Sequence, residues 1–119
     1  MPFRDVLYIG SVVAILAAGQ LLFRKAALST PPLSTVDGLL RLIRNPVFLF
    51  ALLLYGAATL LWVSVLQRVP LSRAYPFMAL GFVVVPAAAM LSGGEPLSSR
   101  LVSGLALVIA GLLVIGWEP

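Results

Sequence analysis

Four long stretches of the chain contain no Asp, Glu, Lys or Arg: residues 6–23, 45–67, 74–94 and 101–117, which are 18, 23, 21 and 17 residues long. Within each stretch apolar side chains occupy every helical direction, the pattern of a helix surrounded by lipid; a barrel strand would alternate with lumen-facing polar residues. At about 1.5 Å of rise per residue, each run comes near the roughly 30 Å hydrocarbon thickness of a bilayer. The pattern therefore predicts an all-α membrane protein with four transmembrane helices in a single domain over 1–119. The spans fall at about 7–23, 47–66, 74–91 and 101–117.

The connections carry their own signals. Ser29-Thr30-Pro31-Pro32 breaks the helix after the first span. Ser34 and Asp37 then resemble a capping box, and Val36, Leu39, Leu40 and Ile43 recur at helical spacing, with Arg41 and Arg44 off the apolar stripe. This predicts a membrane-surface anchor helix at about 34–44, leading through Asn45-Pro46 into the second span. Between the second and third spans, Pro70 keeps the Arg68–Arg73 stretch from being helical throughout. Ser92-Gly93-Gly94-Glu95-Pro96 reads as a tight turn, across which Glu95 pairs with Arg100 or takes a cationic group from a substrate.

Inside the spans, small and polar residues stand out. Gly10, Ala14 and Ala18 recur every four residues, with Ala17 and Gly19 beside them, which predicts a packing face on the first helix. Gln20 places an amide near the end of that span, where it needs an interhelical partner or a substrate contact. Tyr55, Thr59 and Trp62 fall on one face of the second helix. They either line a groove for a sugar or serve as a back-bonded hydroxyl and an interfacial aromatic. Pro76, Gly81 and Pro86 are the candidate bending points of the third span, and Gly104, Ala110 and Gly111 form a small-residue seam on the fourth, suited to a dimer.

Composition sharpens this picture. The chain is 61% hydrophobic and 10% charged, with mean hydropathy +1.11, far from the balance of a soluble domain. Its net charge of +4 lies outside the spans and suits anionic headgroups; no basic run or aromatic-interleaved patch points to nucleic acid. With neither His nor Cys, the usual transition-metal ligands and thiolate chemistry are missing, and no cofactor is implied. Arg4 and Asp5 offset each other before an apolar run long enough to remain as a span, so the N-terminus reads as uncleaved. Arg24, Lys25, Arg41, Arg44 and Arg100 outnumber Arg4, Arg68 and Arg73 on the other side, which places the first and third loops in the cytoplasm. Arg68 and Arg73 sit where spans end, either as interfacial anchors or as planar forks able to hold a lipid phosphate.

Taken together, the chain resembles the small multidrug resistance proteins and their relatives in the drug/metabolite transporter superfamily. More closely it resembles the aminoarabinose-phosphoundecaprenol flippase subunits, through AGQLLFRKA at 18–26, LWVSVLQRVPLSRAYP at 61–76, GEPLSSR at 94–100 and the last helix GLALVIAGLLVI. The resemblance implies an antiparallel homodimer, or a heterodimer with a similar four-helix subunit, in the bacterial inner membrane. It also implies transport of a polyprenyl-phosphate-linked amino sugar with no covalent chemistry. Arg68, Arg73, Arg24 and Lys25 would then hold the phosphate, and Gln20, Thr59, Trp62, Tyr75 and Glu95 would contact the sugar. Where the proton-coupled drug exporters carry a first-span glutamate, this chain has Leu16. That counts against the alternative of a proton-coupled small-cation or polyamine exporter. A third possibility is a non-transporting subunit, in which Arg68 and Arg73 could be neutralised without loss.

Overall fold

The computed structural model describes residues 3–96 and 98–117; Leu97 of the GEPLSSR stretch and the ends of the expected 1–119 domain lie outside the described residues. Helix α1 runs Phe3–Leu28, α2 Val36–Arg44 and α3 Pro46–Leu66. The third crossing is α4, Leu71–Phe77, a 3-10 turn at Met78–Leu80 and α5, Gly81–Gly93; α6 is Ser99–Gly116. The described residues contain four helical stretches long and apolar enough to cross a membrane.

The helices outrun the charge-free segments. In α1, Asp5 lies in the first turn and Lys25 in the last, each facing the helix-dipole end it complements. Charge therefore does not stop the helix. Asn45 stops α2 and starts α3: its side chain accepts from Val47 N at 2.9 Å, and Pro46 fills a first-turn position where no N–H is needed. In the third crossing Pro76 cannot donate to the ladder, and the α-helix gives way to the 3-10 turn two residues later, just before Gly81. Pro86 lies inside α5, which ends on Gly94 in the left-handed conformation at φ 66°. Ser98 then caps α6 by accepting from Leu101 N at 3.1 Å.

Three local expectations need correcting. The cap of α2 is Thr35, whose hydroxyl accepts from Gly38 N at 3.0 Å, in place of the capping box from Ser34. Gly38 is buried against the Pro31-Pro32 bend, where an added Cβ would lie 2.7 Å from the Pro31 carbonyl oxygen. The α1 residues Gly10, Ala14 and Ala18 face outward; α1 packs instead through Ile9, Val12, Val13, Ala17 and Gly19. Tyr55 explains the choice, because its ring lies over Gly19 where a Cβ would come 2.6 Å from Cε1. Finally, the ion pair of Glu95 is with Arg24 of α1, at 3.9 Å, and not with Arg100 across the turn.

Helix α1 is the centre of the bundle, packed against α3 along its length and against α5. A core of Ile9, Val13, Val65, Val69 and Ala74 closes the bundle beneath the α3–α4 hinge, joined by Trp62, Leu66 and Phe77. Helix α6 is peripheral: Leu112 is its one buried residue among those described, and Gly104, Ala110 and Gly111 are exposed.

Candidate functional site

A cavity of about 390 Å³ opens between α1, α3 and α5, lined by Val13, Leu16, Ala17, Gln20, Tyr55, Met78, Gly81, Phe82, Val85 and Pro86. Its polar groups are the Gln20 amide and the Tyr55 hydroxyl, and Gln20 Nε2 donates to Tyr55 Oη. The pair forms because glycine at position 19 lets the Tyr55 ring cross α1. Phe23 packs against the same ring, tilted, at a 5.0 Å centroid distance. Leu16 lies in the wall, and among the described residues no carboxylate lines the cavity. Mostly apolar walls with a few convergent polar groups have the composition that an amphipathic ligand would need.

Two charged clusters lie at opposite ends of α1. At the hinge end Arg68 Nε donates to Asp5 Oδ1 at 3.0 Å, with the Asp5 side chain 4% exposed and that of Arg68 32%. The guanidinium carbon stands 5.0 Å from the centroid of the Tyr8 ring. Arg73 lies nearby on α4, bordering a groove of about 450 Å³ with Val6, Phe77, Leu112, Leu113 and Trp117. At the opposite end Arg24 meets Glu95, and a groove of about 410 Å³ runs past Arg24, Lys25, Leu28, Ala89 and Glu95.

The expected site residues are thus distributed. Gln20 lies in the cavity; Arg68 and Arg73 lie at one membrane end, Arg24, Lys25 and Glu95 at the other. Thr59 is exposed and turns its hydroxyl back to the Tyr55 carbonyl at 2.8 Å. Trp62 packs on the hinge core and meets Tyr75 edge-on at 6.5 Å, away from the Gln20 pair. Of the helical face Tyr55, Thr59 and Trp62 expected to line a groove, Tyr55 is the member that reaches the cavity. One participant is absent from the expected site: Asp5 offsets its neighbour Arg4 in sequence, while its partner lies 63 residues on.

Four apolar crossings around a largely apolar cavity define the class, a small helical membrane transporter. The chain is 40% identical to a probable 4-amino-4-deoxy-L-arabinose-phosphoundecaprenol flippase subunit ArnE of Pseudomonas aeruginosa, over 71% of this chain and 73% of the relative. It is 37% identical to the probable subunit ArnE of an Enterobacter species and 34% identical to the probable subunit ArnF of Klebsiella pneumoniae. These alignments cover 87% and 88% of this chain and 89% of each relative. No protein-family model and no solved structure matches. The chain belongs to the family of aminoarabinose-phosphoundecaprenol flippase subunits, and is a multi-pass inner-membrane protein.

Proposed function

We propose that the chain is one subunit of a flippase that carries 4-amino-4-deoxy-L-arabinose-phosphoundecaprenol across the inner membrane, making and breaking no covalent bond. The observation that carries this reading is the family relationship, which reaches both ArnE and ArnF. The cavity supports it: the Gln20–Tyr55 pair offers hydrogen bonds to sugar hydroxyls, and the apolar walls tolerate the start of a prenyl chain whose remainder stays in lipid.

In this reading Arg68 and Arg73 hold the phosphate at one membrane end and Arg24 and Lys25 at the other. Trp62, Thr59 and Tyr75 give the sugar a path past the hinge. Glu95 draws the sugar amine toward the Arg24 end. Pro76, Gly81 and Pro86 let the third crossing bend as the head group passes. Among the described residues the cavity has no carboxylate at which a proton and a cation would compete, which supports transport that is uncoupled from protons and follows consumption of the lipid on the far side. The partner is a second four-helix subunit, received on the exposed small-residue face of Gly104, Ala110 and Gly111.

The test is movement of the aminosugar lipid across vesicles containing this chain alone, or with a candidate partner subunit, each with and without a pH gradient. Movement that needs the partner and ignores the gradient is expected. Strict dependence on the gradient would return the reading to a proton-coupled exporter.

A further inference from the structure

Asp5 is the buried charged residue of the described chain, with 3% of its surface exposed. Taking a carboxylate out of water is costly even when it is paired, and an apolar pair of similar volume usually serves stability as well or better. A charge kept at this junction therefore calls for a reason other than stability. The geometry of Arg68 supplies one. A guanidinium carries five N–H donors, and among the described residues Arg68 spends its Nε hydrogen alone, at 3.0 Å to Asp5 Oδ1. Tyr8 covers a face of the group. Among the described residues no acceptor takes an Nη hydrogen of Arg68, and a third of the side chain remains exposed. Its Nε edge is thus held by Asp5, while both Nη groups keep their hydrogens unspent among the described residues.

We infer that Asp5 and Tyr8 are positioning residues, which orient the Arg68 guanidinium so that its two Nη groups meet the phosphate oxygens of a polyprenyl-phosphate lipid. This rests on the flippase reading for the presence of a phosphate at this end of the membrane. An arginine fixed before its ligand arrives loses less rotamer freedom on binding than a free one. Asp5 also offsets the charge of Arg68, so the phosphate is gripped by geometry more than by net attraction. That suits a carrier, which must release what it holds. An arginine acting only as a headgroup anchor needs neither a buried carboxylate nor a ring beneath it.

The test compares binding of undecaprenyl phosphate with binding of undecaprenol, at one salt concentration, to the chain in lipid nanodiscs. The unmodified chain is expected to prefer the phosphate, and Arg68→Gln to abolish that preference. Asp5→Ala should reduce it about tenfold, the scale of one charge-assisted hydrogen bond, with undecaprenol binding unchanged. Asp5→Asn, which keeps an oxygen for Nε, should lose less, and Asp5→Ala/Arg68→Gln should lose no more than Arg68→Gln alone. Equal weakening of both lipids in Asp5→Ala would make the pair merely structural and overturn the inference, as would an unmodified chain without phosphate preference. If Asp5→Ala fails to assemble, the unmodified chain decides by solid-state nuclear magnetic resonance. A new contact from Nη to phosphorus with the Nε–Asp5 contact kept supports positioning; loss of that contact on binding overturns it. Failure of the flippase reading would show separately, as Asp5-dependent phosphate preference in a protein that moves no aminosugar lipid even with its partner.

Discussion

At the start of α1 the Asp5 carboxylate is 4% exposed and lies 3.0 Å from Arg68; at the end of the same helix Arg24 and Glu95 are 61% and 47% exposed and stand 3.9 Å apart. Both are arginine–carboxylate pairs, and both tie α1 to a connection between later helices. What differs is the surroundings. The first pair sits on the core of Ile9, Val13, Val65, Val69 and Ala74, and the second borders an open groove one turn beyond Gln20. In the low-dielectric setting removal of one partner strands a charge, whereas water screens the exposed pair to near neutrality. The hinge end therefore holds its ion pair against packed side chains, and the Arg24 end holds its pair in water.

The comparison breaks most sharply at Arg68. Arg68→Ala should cost about 3 kcal/mol, the low end for breaking a buried pair because a third of Arg68 is exposed. Thermal unfolding in detergent measures it, and an unaltered midpoint would mean the hinge pair is as wet as the other. Midway along α1, Gly19→Ala forces a Cβ to 2.6 Å from Tyr55 Cε1 and should cost roughly 1–3 kcal/mol, with the Tyr55 ring displaced in fluorescence or ring-proton spectra. Tyr55→Phe keeps the ring and removes the oxygen that Gln20 bonds. A loss of about 1 kcal/mol is expected, with weaker capture of the sugar lipid than of its sugar-free counterpart. At the Arg24 end Glu95→Gln should change unfolding by less than about 0.5 kcal/mol. A drop in transport by that variant would then report on the substrate amine and not on the fold, while a destabilisation as large as that of Arg68→Ala would erase the difference between the ends.

The number of crossings was legible because each charge-free run is a local property. Helix ends were less so: α1 continues through Arg4, Asp5, Arg24 and Lys25, since those charges suit a helix terminus as well as they suit the membrane edge. Thr35 and Ser34 are chemically equivalent caps, and the fit of Gly38 under the prolines decides between them. On α1 two small-residue faces competed; the regular spacing of Gly10, Ala14 and Ala18 was the more conspicuous, yet Tyr55 selects Gly19. The Glu95–Arg100 expectation failed for a similar reason. Sequence separation favours the near cation, but the turn at Gly94 brings the carboxylate within reach of Arg24. Asp5 left a fainter signal, a carboxylate at the mouth of a span on the same membrane side as Arg68 and Arg73.

Four apolar spans, a short helix before the second span, the proline-interrupted third crossing and the family motifs follow from the order of residues alone, because insertion into lipid and helix breaking depend on side chains within a few turns of one another. Which arginine meets which carboxylate, and which glycine receives an aromatic ring, was decided only when α1 came to lie between α3 and α5. Those contacts join residues as far as 71 positions apart, as in Arg24 with Glu95, and an ion pair, hydrogen bond or ring contact exists only within a few ångströms. No local pattern carries that information; the packing of one helix face against another creates it.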